Sequence, residues 1–434
     1  MANILPFNGY RYNAAMRADM GRLVAPPYDV IDPALRDTLW RLSEYNISRV
    51  TKADRNEQAP SGNPYEAAGA LWERWLAQQI VQRDAQPAVY VYEQNFQVHG
   101  RKFSRTALVS RVQLEPPGKG VLPHENTLAG PKADRLLLMR ATRTQFGQVF
   151  GLYPDPAGEV DALLEQAKKG WPIVHAPESE DLLHRLWAIT DPAVIARIQA
   201  LMAPKEILIA DGHHRYETSL GYMAENPGNE LARYRMMALV NMSNPGLVVL
   251  PIHRCVKGVK DFQAERLLKG LRKDFDVRAY PSDKPGARAA VTEEVRRDQA
   301  AGKHAFVLLL KDGAHWVVSL RNEKAMDAIK GRSEAWRRLD VTILHQLILE
   351  PLLGITPERL AAESNIEYVH DFPHAIDHAA EEVRAGHCQA LFLLNPTRVE
   401  EVQSVAHNHE RMPQKSTYFY PKMYGGLVFY RMAE

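Results

Sequence analysis

Asp211-Gly212-His213-His214-Arg215 gathers two imidazoles, a guanidinium, a carboxylate and a glycine into five consecutive positions. The apolar, β-branched run Ile207–Ala210 precedes it, and helix-compatible residues follow from His214, so the pattern is strand, tight turn, helix start. A helix's first turn carries unpaired N–H groups and the positive end of its dipole, which favours a bound anion such as phosphate. Gly212 lets a bound group approach the backbone closely, because no Cβ intervenes. His213, His214 and Arg215 add donors, and an arginine fork can grip two oxygens at once. Asp211 is the odd member. Beside phosphate, a carboxylate must hold a metal ion, position a hydroxyl, or cap the helix. The plainer alternative is a capped helix whose His213, His214 and Arg215 are solvated.

A second place where chemistry could occur is Pro123-His124-Glu125-Asn126-Thr127, a loop before a helix expected over Lys132–Thr142. There Glu125 could act as a base or metal ligand, with His124 beside it; the alternative is a solvated loop. The segment VAPPYDVI is apolar on both flanks of its two prolines, which makes Asp29 a further candidate or a turn leading into a helix over Pro33–Leu42. Near the end, Lys415, Ser416 and Thr417 bunch donors that an anionic metabolite could use, unless the loop simply plugs its aromatics into the first unit. His370, His374 and His378 recur every four residues, but Pro373 starts a helix there with Asp371 as cap, leaving His370 outside and the others on a solvated face. No G-x-x-x-x-G-K-[ST] loop, G-x-G-x-x-G turn or G-x-S-x-G elbow occurs, which disfavours ordinary phosphate-loop, dinucleotide-fold and serine-hydrolase readings.

The elements that must position these residues read as a mixed α/β protein, of class α+β. At 434 residues the chain is long for one core, so two units are expected, residues 1–255 and 256–434, with a tail that could return to the site. In the first unit the pattern gives a helix over Tyr65–Gln79, strands over Ala88–Tyr92, Gln94–Val98, Phe103–Val112, Gln148–Tyr153 and Leu186–Thr190, and helices over Val160–Lys169 and Pro192–Met202. Strands follow over Met236–Val240 and Leu247–Ile252, the latter ending at His253-Arg254. In the second unit, helices are expected over Phe262–Asp274, Ala289–Ala300 and Leu339–Leu353, a hairpin around Lys311-Asp312-Gly313, and a strand over Ala390–Leu394. The 54 basic and 52 acidic residues nearly cancel, so no overall footprint for nucleic acid is present. Only Cys255 and Cys388 occur, which suits a reducing compartment. No apolar run approaches the roughly 20 residues of a spanning helix, and no leader is visible. A cytoplasmic protein with no membrane or nucleic-acid partner is expected; a homo-oligomer remains open.

VAPPYDVI, VLPHENT with PKADRL, ADGHHRYET, LVNM and MPQKSTYFYPK occur in order over nearly the whole chain, and together they resemble the domain-of-unknown-function 1015 family. More remotely, ADGHHRYET looks like the phosphate-gripping turn of the superfamily of partitioning-protein nucleotide-binding domains, sulfiredoxin and free serine kinases. That resemblance implies a sulfiredoxin-like nucleotide-binding core. Sulfiredoxins carry a cysteine where this chain has His213, so sulfinic-acid repair is not expected. Free serine kinases keep an Asp-Gly-His turn and an upstream His-Glu loop, here Asp211-Gly212-His213 and His124-Glu125. The likeness implies that Glu125 orients or deprotonates an acceptor hydroxyl, L-serine being the leading candidate. Asp211 would assist, through Mg2+, while Gly212, His213, His214 and Arg215 hold a nucleoside di- or triphosphate, ATP or ADP foremost. A long insertion, about Val149–Leu201, and the second unit depart from the small kinases. The rival readings are a nucleotide-gated switch protein and a phosphatase of a small phosphorylated metabolite.

Overall fold

The computed structural model describes residues 2–52, 62–280 and 286–433. Two compact units emerge, Met1–Val248 with Pro421–Glu434, and Val249–Tyr420. The division thus falls a few residues before Cys255, and the last segment of the chain belongs to the first unit.

Unit 1 is built on a nine-stranded mixed sheet. Its strands are β1 (Ile4–Leu5), β2 (Val89–Val98), β3 (Arg101–Gln113), β4 (Val121–Leu122), β5 (Val149–Tyr153), β6 (Val174–Ser179), β7 (Leu182–Ile189), β8 (Ile207–Asp211) and β9 (Tyr234–Asn241). The order is β4-β8-β5-β9-β3-β2-β7-β6, with β1 alongside β3. The two strands expected over Ala88–Tyr92 and Gln94–Val98 form one long strand, Val89–Val98, since Glu93 and Gln94 are buried and continue its ladder. The β2–β3 hairpin turns on His99 and Gly100, both at positive φ, the conformation whose twist matches paired strands.

The segment Val149–Leu201 is no peripheral insertion. It supplies the central strand β5 and the edge pair β6–β7. Without β5, strands β8 and β9 would have no common neighbour. Four helices matter here: α1 (Pro64–Ala77), α2 (Ala129–Thr142), α3 (Glu159–Ala167) and α4 (Pro192–Met202). A fifth, α5 (His213–Glu225), follows β8. One core cluster joins Val89, Val91, Leu108, Val149, Ile207, Ile209, Met237 and Leu239 to Val160, Leu164, Ile195 and Ile198 of α3 and α4. The period-two alternation of strands sends Tyr90 and Tyr92 the other way, and Phe7 meets Tyr90 with ring centroids 5.2 Å apart. The returning tail completes an aromatic cluster: Phe429 lies 5.2 Å from Trp72 of α1, which lies 4.9 Å from Phe146.

Unit 2 carries a six-stranded, wholly antiparallel sheet. Its strands are β10 (Ile252–Val256), β11 (Phe275–Tyr280), β12 (Ala305–Leu309), β13 (His315–Leu320), β14 (Ile366–His370) and β15 (Ala390–Leu393), in the order β11-β13-β12-β15-β10-β14. His253 and Arg254 lie inside β10 rather than at a strand end, each less than 4% exposed. The helix expected over Leu339–Leu353 is α-helical at Asp340–Leu344, π-helical at His345–Leu349 and α-helical again at Glu350–Leu353. Pro351, which cannot donate to the preceding turn, accompanies this break in register. Among the described residues, no helix is long and apolar enough to cross a membrane.

Candidate functional site

Strand pairing explains why loops far apart in sequence meet. β4 and β8 run parallel, Val121 against Ile207 and Leu122 against Leu208, so the loops leaving their C-terminal ends emerge side by side. One is Pro123–Thr127 and the other is the Asp211–Arg215 turn. β5 is antiparallel to β8, with a register irregularity between Ile209 and Asp211, and β9 is parallel to β5. The beginnings of β5 and β9 therefore lie at the same edge, which brings Gln148 and Arg235 to it. A bulge beside a site re-aims side chains there.

The histidines are fixed by specific bonds. His124, wholly buried, places Nδ1 2.7 Å from the Ile209 carbonyl. A carbonyl only accepts, so this nitrogen carries the proton. The His124 backbone N–H donates to His213 Nε2 at 3.2 Å, and the two rings meet edge to face at 4.6 Å. With Nε2 accepting, the neutral His213 ring keeps its proton on Nδ1, which lies 3.6 Å from Glu125 Oε2. Glu125 itself is 32% exposed at its side chain, within reach of a ligand. His214 Nε2 accepts from the Leu128 N–H at 2.9 Å. Burial lowers the His214 pKa, with Asp29 and Glu217 acting against it. Asp29, exposed in the short helix Tyr28–Val30, is thus brought into the electrostatic neighbourhood of this turn.

Asp211 is held by two cations. Oδ2 accepts from Arg215 Nη2 at 2.6 Å, and Oδ1 is paired with the ammonium of Lys422. Burial alone would raise the Asp211 pKa, but Lys422 and Arg215 outweigh it and hold the carboxyl below the usual range. Its oxygens are therefore directed at side chains rather than at the start of α5. Both Asp211 oxygens are engaged by these cations, so Mg2+ at Asp211 would have to displace Arg215 or Lys422. Gly212 sits at φ +93°, and what comes close to it is the Arg215 guanidinium: a Cβ there would lie 2.8 Å from Nη2. Arg215 also donates to the Gln148 carbonyl.

Arg215 opens onto a cleft. Its walls are apolar, from Pro26, Pro27, Ile47, Leu138, Met139 and Phe146, with Met423 contributed by the tail. Arg135 lines the cleft too, paired to Asp134 at 2.6 Å and stacked 4.0 Å over the Tyr28 ring. Arg235, 2% exposed, also lines it. Burial, and then its neighbour Arg215, push the Arg235 pKa well below the ordinary arginine value.

Sequence reasoning did not single out Lys422, Arg235 or Arg105. Only the last had a visible signal, a charged residue inside an apolar strand. Arg105 and Gln94, both buried, hold the tail in place: Arg105 donates to the Pro421 carbonyl and to Gln94 Oε1, and Gln94 Nε2 donates to the Lys422 carbonyl at 3.0 Å. Lys415, Ser416 and Thr417 belong instead to unit 2. There the Lys415 carbonyl accepts from Arg254 at 2.9 Å, and Ser416 Oγ donates to the Pro413 carbonyl at 2.5 Å. His370 ends β14 and packs on Tyr418 at 4.3 Å, while His374 and His378 lie on the helix Pro373–Ala385.

The family described as "Protein of unknown function (DUF1015)" matches residues 4–342. No curated protein matches the chain. Similar solved structures include a mutant free serine kinase in complex with AMP, 13% identical, with a TM-score of 0.35 over 69% of this chain and 83% of that one. SbnI with a C-terminal truncation from Staphylococcus aureus is 9% identical, with a TM-score of 0.35 over 74% and 86%. A conserved hypothetical protein from Pyrococcus furiosus is 13% identical, with a TM-score of 0.33 over 70% and 89%.

Proposed function

The chain belongs to the DUF1015 family, whose description names no reaction, and we propose from its site that it is a phosphotransferase. It moves the terminal phosphoryl group of a nucleoside di- or triphosphate, ATP or ADP, to the hydroxyl of a small metabolite, L-serine foremost. The observation that carries this reading is the meeting of Glu125 and His213 at 3.6 Å, beside a turn whose Arg215 and Lys422 share one carboxylate. Phosphoryl transfer asks mainly for in-line positioning and for neutralisation of charge spreading over the phosphoryl oxygens. Arg215, Lys422 and the first-turn N–H groups of α5 supply the positive field. His213 acts as a positioning residue, its Nδ1 facing the Glu125 carboxylate at 3.6 Å. Glu125 takes the proton of the acceptor hydroxyl as its oxygen forms a bond to phosphorus. The bridging P–O bond of the donor breaks, and the nucleotide leaves with the electron pair. His214 orders the loop at Leu128, and Asp211 keeps Arg215 and Lys422 in place. Any divalent cation accompanies the donor's phosphates, and no step runs through it.

The experiment is incubation with ATP or ADP and L-serine, with phosphoserine read by mass spectrometry. Glu125→Gln should lower turnover by about 100-fold or more, the range for a positioned general base, while the nucleotide dissociation constant stays within roughly threefold, because the charged donors are untouched. Full activity in the variant removes Glu125 from this role.

A further inference from the structure

We infer that the apolar cleft is a binding site for an organic oxyanion, its apolar body between the proline, leucine and methionine walls and its charged end on Arg235 and Arg215. The inference goes beyond phosphotransfer and stands if that reading fails.

Arg235, the second residue of strand β9, is 2% exposed. It donates to the Gly147 carbonyl and, at 3.5 Å, to Ser219 Oγ. Its Nε has no hydrogen-bond partner, and no carboxylate pairs with it, among the described residues. Beside it stands a second guanidinium, Arg215, near enough to depress its pKa. Arg215 has Asp211, but that carboxylate is shared with Lys422. Burying one charge without a counter-ion is strongly unfavourable, and placing a like charge next to it adds to the cost. Arg105 is equally buried but spends its guanidinium on the tail, whereas Arg235 lines an open cleft, where a ligand can supply the missing charge.

The rest of the lining says what the ligand is attached to. Apolar residues dominate, which suits a flat or hydrocarbon body rather than a free inorganic ion. Met139 and Met423 flank the space with adaptable thioethers. Thr218, one turn beyond Arg215 on α5, adds a hydroxyl to the same wall, its proton directed at the Lys132 carbonyl at 3.5 Å. The chemistry is therefore a phosphate or carboxylate joined to an apolar group. Two sources could present it, a nucleoside phosphate or the phosphorylated or carboxylated partner in the reaction.

The test uses the whole chain, with phenyl phosphate, inorganic phosphate and phenol as probes in calorimetry. Phenyl phosphate should bind at least about tenfold more tightly than either fragment, because only it satisfies walls and guanidinium together. Methionine-methyl NMR should show the Met139 and Met423 signals moving with phenyl phosphate while Met326 of unit 2 stays still. Arg235→Met should erase the advantage of phenyl phosphate over phenol, yet melt no lower than the parent in the absence of ligand, since a buried unpaired charge is exchanged for an apolar side chain. Arg235→Lys should retain part of the advantage. AMP binding more tightly than O-phosphoserine marks the nucleotide as source, and the reverse order marks the other substrate; either order sustains the site. Unmoved Met139 and Met423 signals, or undiminished phenyl phosphate binding to Arg235→Met, overturn it. So does a ligand-free Arg235→Met protein that melts several degrees lower, since the guanidinium would then be a structural brace. The methyl shifts need no variant and decide the matter even if Arg235→Met fails to fold.

Discussion

Gly212 shows how a single missing side chain sets the geometry of the turn. Its φ of +93° is a conformation that L side chains rarely adopt, and the Arg215 guanidinium occupies the space where a Cβ would go. Arg215 can bend back to Asp211 only because that space is empty. Gly212→Ala should therefore lower stability by about 1–3 kcal/mol, combining backbone strain with displacement of the guanidinium. Urea denaturation measures this directly. An unchanged midpoint would mean that the turn relaxes and Arg215 has another resting place. Arg215 belongs to both the turn and the cleft, so the variant should also weaken binding of phenyl phosphate.

Among the elements, the tail Pro421–Arg431 ties several parts of unit 1 together. It contributes Lys422 to Asp211, Met423 to the cleft and Phe429 to the aromatic cluster, and its end pairs Tyr430–Arg431 with Thr144–Gln145. Leu427, Val428 and Phe429 are fully buried. At about 1.5–3 kcal/mol for each such side chain, their loss is comparable to the whole net stability of an ordinary domain, roughly 5–15 kcal/mol. A chain ending at Tyr420 should thus lose cooperative melting of unit 1 in circular dichroism. If it melts as sharply and as high as the full chain, the tail is a visitor to unit 1 rather than part of its core.

Across the whole molecule, each unit contains a buried histidine held neutral. Tyr92 Oη lies 2.9 Å from His184 Nδ1 in unit 1, and burial followed by Arg105 lowers the His184 pKa to about 3. In unit 2, burial and then Arg254 lower His345 to about 3. The unfolded chain binds these protons near pH 6.5, so between pH 6.5 and 3 it binds more protons than the folded one. Stability from both groups is complete above pH 6.5 and declines as pH falls through that window, by up to about 1.4 kcal/mol per pH unit for each histidine. Asp211, with its lowered pKa, acts in the same direction at the acid end. Urea midpoints should therefore fall from pH 7 to pH 5, and His184→Gln should flatten the slope for unit 1. A midpoint independent of pH across that interval would show that neither ring is held neutral.

Local pattern alone determined much of the scaffold. The strand-turn-helix that starts at Ile207, the hairpin at His99-Gly100 and the helix Pro192–Met202 all rest on periodicity, turn chemistry and residue type, which act between near neighbours, whereas the role given to His124-Glu125 came from the family resemblance. What the residues contact was decided only by the tertiary structure. Parallel pairing of β4 with β8 brings Glu125 to His213, and the order of β8, β5 and β9 sets Arg235 beside Arg215. Lys422 reaches Asp211 because buried Arg105 and Gln94 capture the backbone of a returning tail, whereas Lys415, Ser416 and Thr417 remain in unit 2. The physical reason is sequence separation. A short stretch carries the signals for its own helix or strand, but which charges share a carboxylate depends on strand order and long-range burial, and no local pattern records those.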